Sequence, residues 1–244
     1  MKKTRYSVPL ILLLLSVAAS GFSQDANDIL KKMDDVLYAP KDMTAKTKII
    51  TVDKNGHEKV REAVMKQKGN DMRLFRFTAP ASQAGIATLS LPNDVMYLYL
   101  PSFAKERRIS SSVKNQKFAG TDFSYDDMEA KPYAEKYTAK LLGEEGDVFI
   151  LELKPKSPKS QYSKLISKVN KQNYYPVYGE YYDKGNHKIK EAAYKFEKIG
   201  DYWNPAEVTM TDLKKKHKTT MITYDVKYDT GLTDEEFTVR RLKQ

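Results

Sequence analysis

The sequence predicts a mainly β fold, a curved antiparallel sheet with one N-terminal helix, and three observations carry that prediction. From Met43 onward, segments of up to about ten residues follow one another as candidate strands, several with apolar and polar residues alternating at the period of two that puts one strand face in water. Short turns rich in Gly, Asn, Asp and Pro join them, which suits antiparallel pairing and leaves no room for the crossover helices that a parallel sheet needs. Only one long segment carries helical periodicity. With so few helices to cover it, a large curved sheet cannot fill its concave face by packing alone, and an internal cavity is expected.

The helix is predicted over Asp25 to Tyr38, where Ile29, Leu30, Met33, Val36 and Leu37 recur at three- and four-residue steps. Asp25, Asn27 and Asp28 offer capping oxygens and Pro40 stops it. Strands follow at Met43 to Val52 and Glu58 to Gln67, joined through an Asn-Gly hairpin turn, Asp53 to Gly56. A turn at Gly69 to Asp71 leads to Met72 to Thr78. Strands at Ala87 to Leu91, Val95 to Leu100 and Lys105 to Ser110 extend this meander, with a tight turn at Pro92 to Asp94. A long connection, Ser111 to Pro132, with a helical turn near Tyr125 to Ala130, interrupts it. Strands resume at Glu135 to Leu142, Asp147 to Lys154, Ser163 to Lys171, Pro176 to Asp183, Lys188 to Ile199, Trp203 to Leu213 and Lys218 to Tyr228. Ala192, Tyr194 and Phe196 share one face of their strand, and Ile222, Tyr224, Val226 and Tyr228 are expected to share one face of the last.

The first 23 residues read as a secretory signal peptide: a basic start (Lys2, Lys3, Arg5), an apolar run from Val8 to Ala19 and a small-residue exit at Gly21 to Ser23. That run is shorter than the ~20 residues of a membrane span, so a soluble exported protein is expected, cleaved near Ser23-Gln24 and, with no cysteine at the exit, not lipidated. Residues 24–244 are expected to form one domain. With no cysteine anywhere, the fold uses neither disulfides nor thiolate metal sites. The formal net charge of +10 is basic but mixed, with 42 Lys and Arg against 32 Asp and Glu. Lysines on watered strand faces account for it; they could also favour transient contact with anionic lipid headgroups. Export argues against nucleic acid.

The most informative stretch is Arg73 to Met128. Its strand Val95 to Leu100 carries Val95, Tyr97 and Tyr99 on one face and Met96, Leu98 and Leu100 on the other, so both faces must be covered. Leu100-Pro101, an apolar tip at Phe103, the basic strand with Arg107, Arg108 and Ile109, and the loop Gly120-Thr121-Asp122-Phe123-Ser124-Tyr125-Asp126-Asp127-Met128 follow. In these motifs the chain resembles the outer-membrane lipoprotein-sorting proteins, the LolA-like periplasmic carriers. Tyr174-Tyr175-Pro176, Glu180 to Asp183, Trp203-Asn204-Pro205 and Asp234 to Phe237 continue the likeness in order. The resemblance implies an incomplete antiparallel β-barrel with a helical and loop lid over its open side, enclosing an apolar cavity for the acyl chains of a lipoprotein or lipid. It also implies a monomeric periplasmic shuttle that needs no cofactor, with an inner-membrane transporter of the ABC or resistance-nodulation-division (RND) type as donor and an outer-membrane acceptor.

The residues expected to line the cavity or its lid are Ile29, Leu30, Met33 and Leu37 on the helix, Leu74, Phe75, Phe77, Leu89, Leu91, Met96, Leu98 and Leu100 on strands, and Phe118, Phe123 and Met128 in the connection. The carboxylates Asp122, Asp126, Asp127 and Glu129 match neither an EF-hand nor a helix-face pair. They are read as turn caps that pair with Arg107 or Arg108, and in functional form Asp122, Asp126 and Asp127 with those arginines make a latch holding the lid. His57, His187 and His217 all sit in turn contexts and are read as solvated, so no metal or catalytic role is assigned. No nucleophile elbow, phosphate loop or dinucleotide fingerprint is present. A carrier is therefore the first reading; an envelope scaffold gripping a polypeptide is the alternative, and a lipid or glycan hydrolase the last.

Overall fold

The computed structural model describes residues 25–244; the predicted signal peptide and its cleavage site before Gln24 lie outside the described residues. Helix α1 (Ala26–Leu37) begins at Asp25, whose side chain accepts the Asn27 N–H, and buries Ile29, Leu30 and Met33 completely. Thirteen strands follow: β1 Asp42–Val52, β2 Glu58–Lys68, β3 Met72–Ala79, β4 Ala87–Leu91, β5 Val95–Leu100 and β6 Lys105–Arg108, then β7 Tyr137–Glu145, β8 Val148–Pro155, β9 Lys164–Asn170, β10 Pro176–Tyr182, β11 Lys188–Ile199, β12 Tyr202–Asp212 and β13 His217–Tyr228. All belong to one antiparallel sheet in the order β6-β5-β4-β3-β2-β1-β13-β12-β11-β10-β9-β8-β7. Each half is a meander, and β1 pairing with β13 from Met43↔Tyr228 to Val52↔Lys218 joins them. The outer strands β6 and β7 do not pair, so the sheet stays an open, incomplete barrel.

The connection from β6 to β7 crosses that open side. It carries two short helices, α2 (Tyr125–Met128) and α3 (Tyr133–Lys136), the second falling where a strand start is predicted. Ser124 and Asp127 form a reciprocal capping box at the start of α2. Phe118 is the connection's main anchor: its ring stacks on Phe77 at 5.6 Å and meets Phe75 and Tyr125 edge-on. Such pairs add about 0.5–1.5 kcal/mol each beyond the burial itself.

A second cover lies on the opposite face. After β13 the chain doubles back over β3 to β5, and Phe237 and Leu242, the latter on the terminal helix α4 (Val239–Leu242), bury Leu74, Ala87 and Leu89, with Leu91, Tyr97 and Tyr99 packed around them. Arg76 donates to the carbonyls of Arg241 and Leu242 at 2.6 and 3.2 Å. This strap answers which way the two-faced strand turns: Met96 and Leu98 point into the main core, Tyr97 and Tyr99 under the strap.

Asp42 fastens the strap at its start. Its carboxylate accepts the N–H groups of Thr230, Gly231 and Leu232 and the Thr230 hydroxyl at 2.7–3.1 Å. Burial would raise its pKa, but these bonds outweigh it and hold the carboxyl below the usual range. A depressed carboxyl contributes stability that is present above its unfolded value of about 3.9 and fades as pH falls through the folded one. Asp42→Ala, which leaves those donors without their acceptor, is therefore expected to lower unfolding stability by about 1–3 kcal/mol at neutral pH. Denaturant titrations at neutral and acidic pH should show the deficit shrinking in acid; an equal deficit at both would contradict the assignment.

One strand departs from strict alternation. Opposite Ala45, β13 carries two residues, Asp225 and Val226, and Asp225 adopts a left-handed φ of 52°. This bulge shifts the facing of the strand. Met221 and Thr223 look into the interior before it and Tyr228 after it, so Ile222, Tyr224, Val226 and Tyr228 do not share one inner face as the alternation predicts.

Candidate functional site

Packing under α1 is close to solid: beside Met33, Tyr133 and Tyr181 only about 10 Å³ is open. The real space begins past its C-terminal end. A cavity of about 240 Å³ lies between the inner faces of β1 to β3, β9 to β13 and the α2–α3 connection. A single water needs only ~10–15 Å³ on this scale, and the volume approaches the ~300 Å³ at which small-molecule pockets begin. Its floor is the cross-strand row Tyr194, Val208 and Met221 on β11, β12 and β13. Phe196, Trp203 and Tyr228 wall one end, Met65 and Phe75 one side, and Phe123 and Met128 form the roof. The Tyr181 and Tyr194 hydroxyls meet at 3.3 Å, and burial pushes both phenols up, so the rings stay neutral.

Of the residues predicted for the cavity, Leu37, Phe75, Phe123 and Met128 line it. Ile29, Leu30, Met33, Phe77, Met96, Leu98 and Phe118 belong to the packed core around it. Leu74, Leu89 and Leu91 stand on the other face of the sheet, beneath the strap, because inner and outer positions alternate along β3 and β4. Leu100, at the end of β5, is half-buried and outside the lining. The tyrosines, Trp203 and the Met221 face were not assigned from sequence; Tyr194 and Phe196 were visible as one apolar strand face, but not as a floor.

The carboxylates do hold the connection in place, with partners other than the predicted arginines. Asp122 is completely buried and receives Lys117 at 2.8 Å and the Thr219 hydroxyl at 2.7 Å, with His217 Nδ1 at 2.5 Å. Lys190 donates to its carbonyl. Burial would raise its pKa, yet Lys117, His217 and Thr219 prevail and keep it below the usual range. Asp126 pairs with Lys136 at 2.7 Å, and Asp127 caps Ser124 and accepts from the Tyr162 hydroxyl. Arg107 and Arg108 sit exposed on edge strand β6, and neither pairs with these carboxylates among the described residues. The arginine latch is replaced by a lysine and histidine clamp. His217, read as a solvated turn residue, starts β13 and is part of it.

Two further polar contacts tie the lid to its surroundings. Asp34 on α1 accepts the N–H groups of Tyr133 and Ala134, both at 2.7 Å, and so caps α3; burial, outweighing those bonds, lifts its pKa to about 6. Arg73 on β3 donates to the carbonyl of Met128 at 3.1 Å, holding the end of α2 at the cavity rim. Beyond the α2–α3 connection lies a second cleft of about 170 Å³ that shares Asp126, Glu129, Lys131, Lys136 and Tyr137 with the first. Among the described residues no cluster of His, Asp and Glu is arranged to hold a metal ion, and no helix is long and apolar enough to cross a membrane.

An open antiparallel half-barrel, roofed by a short helical lid over an apolar cavity, defines the lipoprotein-sorting class of binding folds. Residues 69–244 match a family model described as "-like: Uncharacterized protein", and the chain belongs to that family; its fold is that of the LolA-like lipoprotein-sorting proteins. Among solved structures it is similar to a domain from Vibrio parahaemolyticus carrying the outer membrane lipoprotein-sorting designation (27% identity, TM-score 0.84, covering 90% of this chain and 98% of that one). It is similar also to a DUF1329 family protein from Desulfovibrio piger (28%, TM-score 0.83, 88% and 97%) and to a LolA superfamily protein from Nitrosomonas europaea (25%, TM-score 0.76, 89% and 99%). No curated protein matches the sequence significantly.

Proposed function

We propose that the chain is a periplasmic, non-enzymatic carrier that shelters the acyl chains of a lipoprotein or lipid on the way from the inner towards the outer membrane. The observation that carries this reading is the cavity: an apolar space of about 240 Å³ that the protein's own side chains leave open beneath a small lid. Each methylene moved from water into such a space gains about 0.8 kcal/mol. A chain of a dozen or more carbons therefore has ample free energy to displace a lid held by Phe123, Met128 and a few polar contacts. Support for its relation to membranes comes from the lipoprotein-sorting designation of a similar domain and from the β5–β6 hairpin, whose tip Phe103 is 63% exposed beside the exposed Lys105, Arg107 and Arg108. An inner-membrane transporter of the ABC or RND type and an outer-membrane acceptor are the partners this role requires.

The test is to purify the exported protein from its envelope without detergent, extract it with organic solvent and analyse the extract by mass spectrometry. Acyl lipid or acylated peptide in near-stoichiometric amount is the expected result. A bound non-acylated polypeptide would instead support a scaffold that grips a protein partner.

A further inference from the structure

We infer that the cavity selects amphiphiles with an anionic head, a phosphate or a carboxylate, and that Arg73 is the residue that binds it; this rests on the carrier reading above. The argument begins with the charges on the cavity wall. Asp42 is consumed by the strap, Asp126 by Lys136, Glu129 by Lys114 at 2.6 Å, and Asp127 by its cap, Tyr162 and Lys190. The lining cations Lys131 and Lys136 each have a carboxylate, Asp94 and Asp126. Among the described residues Arg73 alone of the lining cations has none.

Its partners are all neutral. Nε and Nη2 both donate to Gln67 Oε1, at 2.9 and 2.6 Å, Nη1 donates to the Met128 carbonyl, and the Tyr38 phenol stands beside it. Gln67 is itself fixed through its amide nitrogen to the Gly69 carbonyl at 3.2 Å. The guanidinium is thus held in one orientation by groups that leave its charge uncompensated, which is how an arginine is prepared for a fork-shaped contact with a carboxylate or phosphate. Its place agrees. Arg73 lies opposite Gln67 beside the exposed turn between β2 and β3, at the rim, while Phe75 and Met65 continue the same inner face inward. A head bound here would leave its acyl chain to run down the apolar wall. Deeper on that wall the Thr47 hydroxyl is buried with no hydrogen-bond partner among the described residues, a second polar group that a ligand can meet.

The sequence supplies its own reporter, because the single tryptophan, Trp203, lines the cavity. Delipidated protein should be titrated with two matched pairs, palmitate against methyl palmitate and phosphatidylglycerol against the diacylglycerol of the same chains, following Trp203 fluorescence and native mass spectrometry. The anionic member of at least one pair is expected to bind about tenfold or more tightly than its neutral mate; the pair that shows it says whether carboxylate or phosphate is the natural head. Arg73→Gln should erase the preference, bringing the affinities for the anionic and neutral members of the pair to within about threefold of each other, and Arg73→Lys should restore part of it. Equal affinities within both pairs for the wild type, or a preference that survives in Arg73→Gln, would overturn the assignment, and the wild-type comparison stands even if a variant folds poorly. Failure of all four amphiphiles to bind would instead overturn the carrier reading, and the head assignment with it.

Discussion

Asp122→Ala is expected to cost about 3–5 kcal/mol of stability at neutral pH, the range for removing one partner of a buried ion pair, and to free the whole connection between β6 and β7. The carboxylate is fully buried, and its loss strands the Thr219 hydroxyl and His217 Nδ1 and leaves Lys117 to Asp212 at 3.3 Å. Those partners come from the connection itself and from β13, so the contact bridges the lid to the centre of the sheet. Asp122→Asn should fall between, since an amide oxygen still accepts from Thr219 but carries no charge to face Lys117. The pH dependence gives a sign to check. A carboxyl held below its ordinary value stabilises above the unfolded value of about 3.9 and loses that contribution as pH falls through the folded one. The gap between wild type and Asp122→Asn should therefore narrow in acid. Chemical denaturation together with hydrogen exchange over residues 109–136 would measure both effects; normal exchange protection there in Asp122→Ala would refute the clamp.

Val208→Trp is expected to reduce co-purified acyl lipid by about tenfold or more while keeping the protein folded, with a stability change inside the ~1–3 kcal/mol that overpacking costs. Val208 is the small residue in the floor row, flanked by Tyr194 and Met221 on the neighbouring strands. An indole there projects into the space a ligand chain would use. Val208→Ala is the matched control, since it enlarges the floor without blocking it and should retain lipid. Lipid recovered at wild-type stoichiometry from a folded Val208→Trp protein would show that cargo sits elsewhere.

The first meander and most strand limits were legible in the sequence because turn chemistry was unambiguous, Gly56, Asn93 and Asp94 adopting the positive φ angles their residue types favour; the seam of β1 with β13 was not, since no local signal pairs segments so far apart. The helix was legible because its apolar spacing and its Asp25 cap agree. The candidate site was much less so. Leu74, Leu89 and Leu91 look as suited to a cavity as Phe75, and only the strap decides between the two faces; the strap's own sequence, Asp234 to Leu242, is mostly charged and announces no cover. Arg73 and Gln67 read as ordinary polar strand residues, since nothing local says that their side of the strand is the inner one. The partnership of Asp122 with His217 and Thr219 joins positions nearly a hundred apart, beyond any spacing rule. The Asp225 bulge reversed a strand face because a single inserted residue leaves no mark in composition.

The seam between β1 and β13 has a consequence for how the molecule is made. The central pairing of the sheet, Met43 with Tyr228 through Val52 with Lys218, unites segments from near opposite ends of the polypeptide. A contact of such sequence separation is slow to form, because loop closure must be completed before it is rewarded. Until β13 has docked on β1, each meander presents a naked β edge. A nascent chain of this kind has a long vulnerable interval in which those edges invite association, so shortening β13 should be felt first as aggregation during biosynthesis, before any defect in the finished product can be measured.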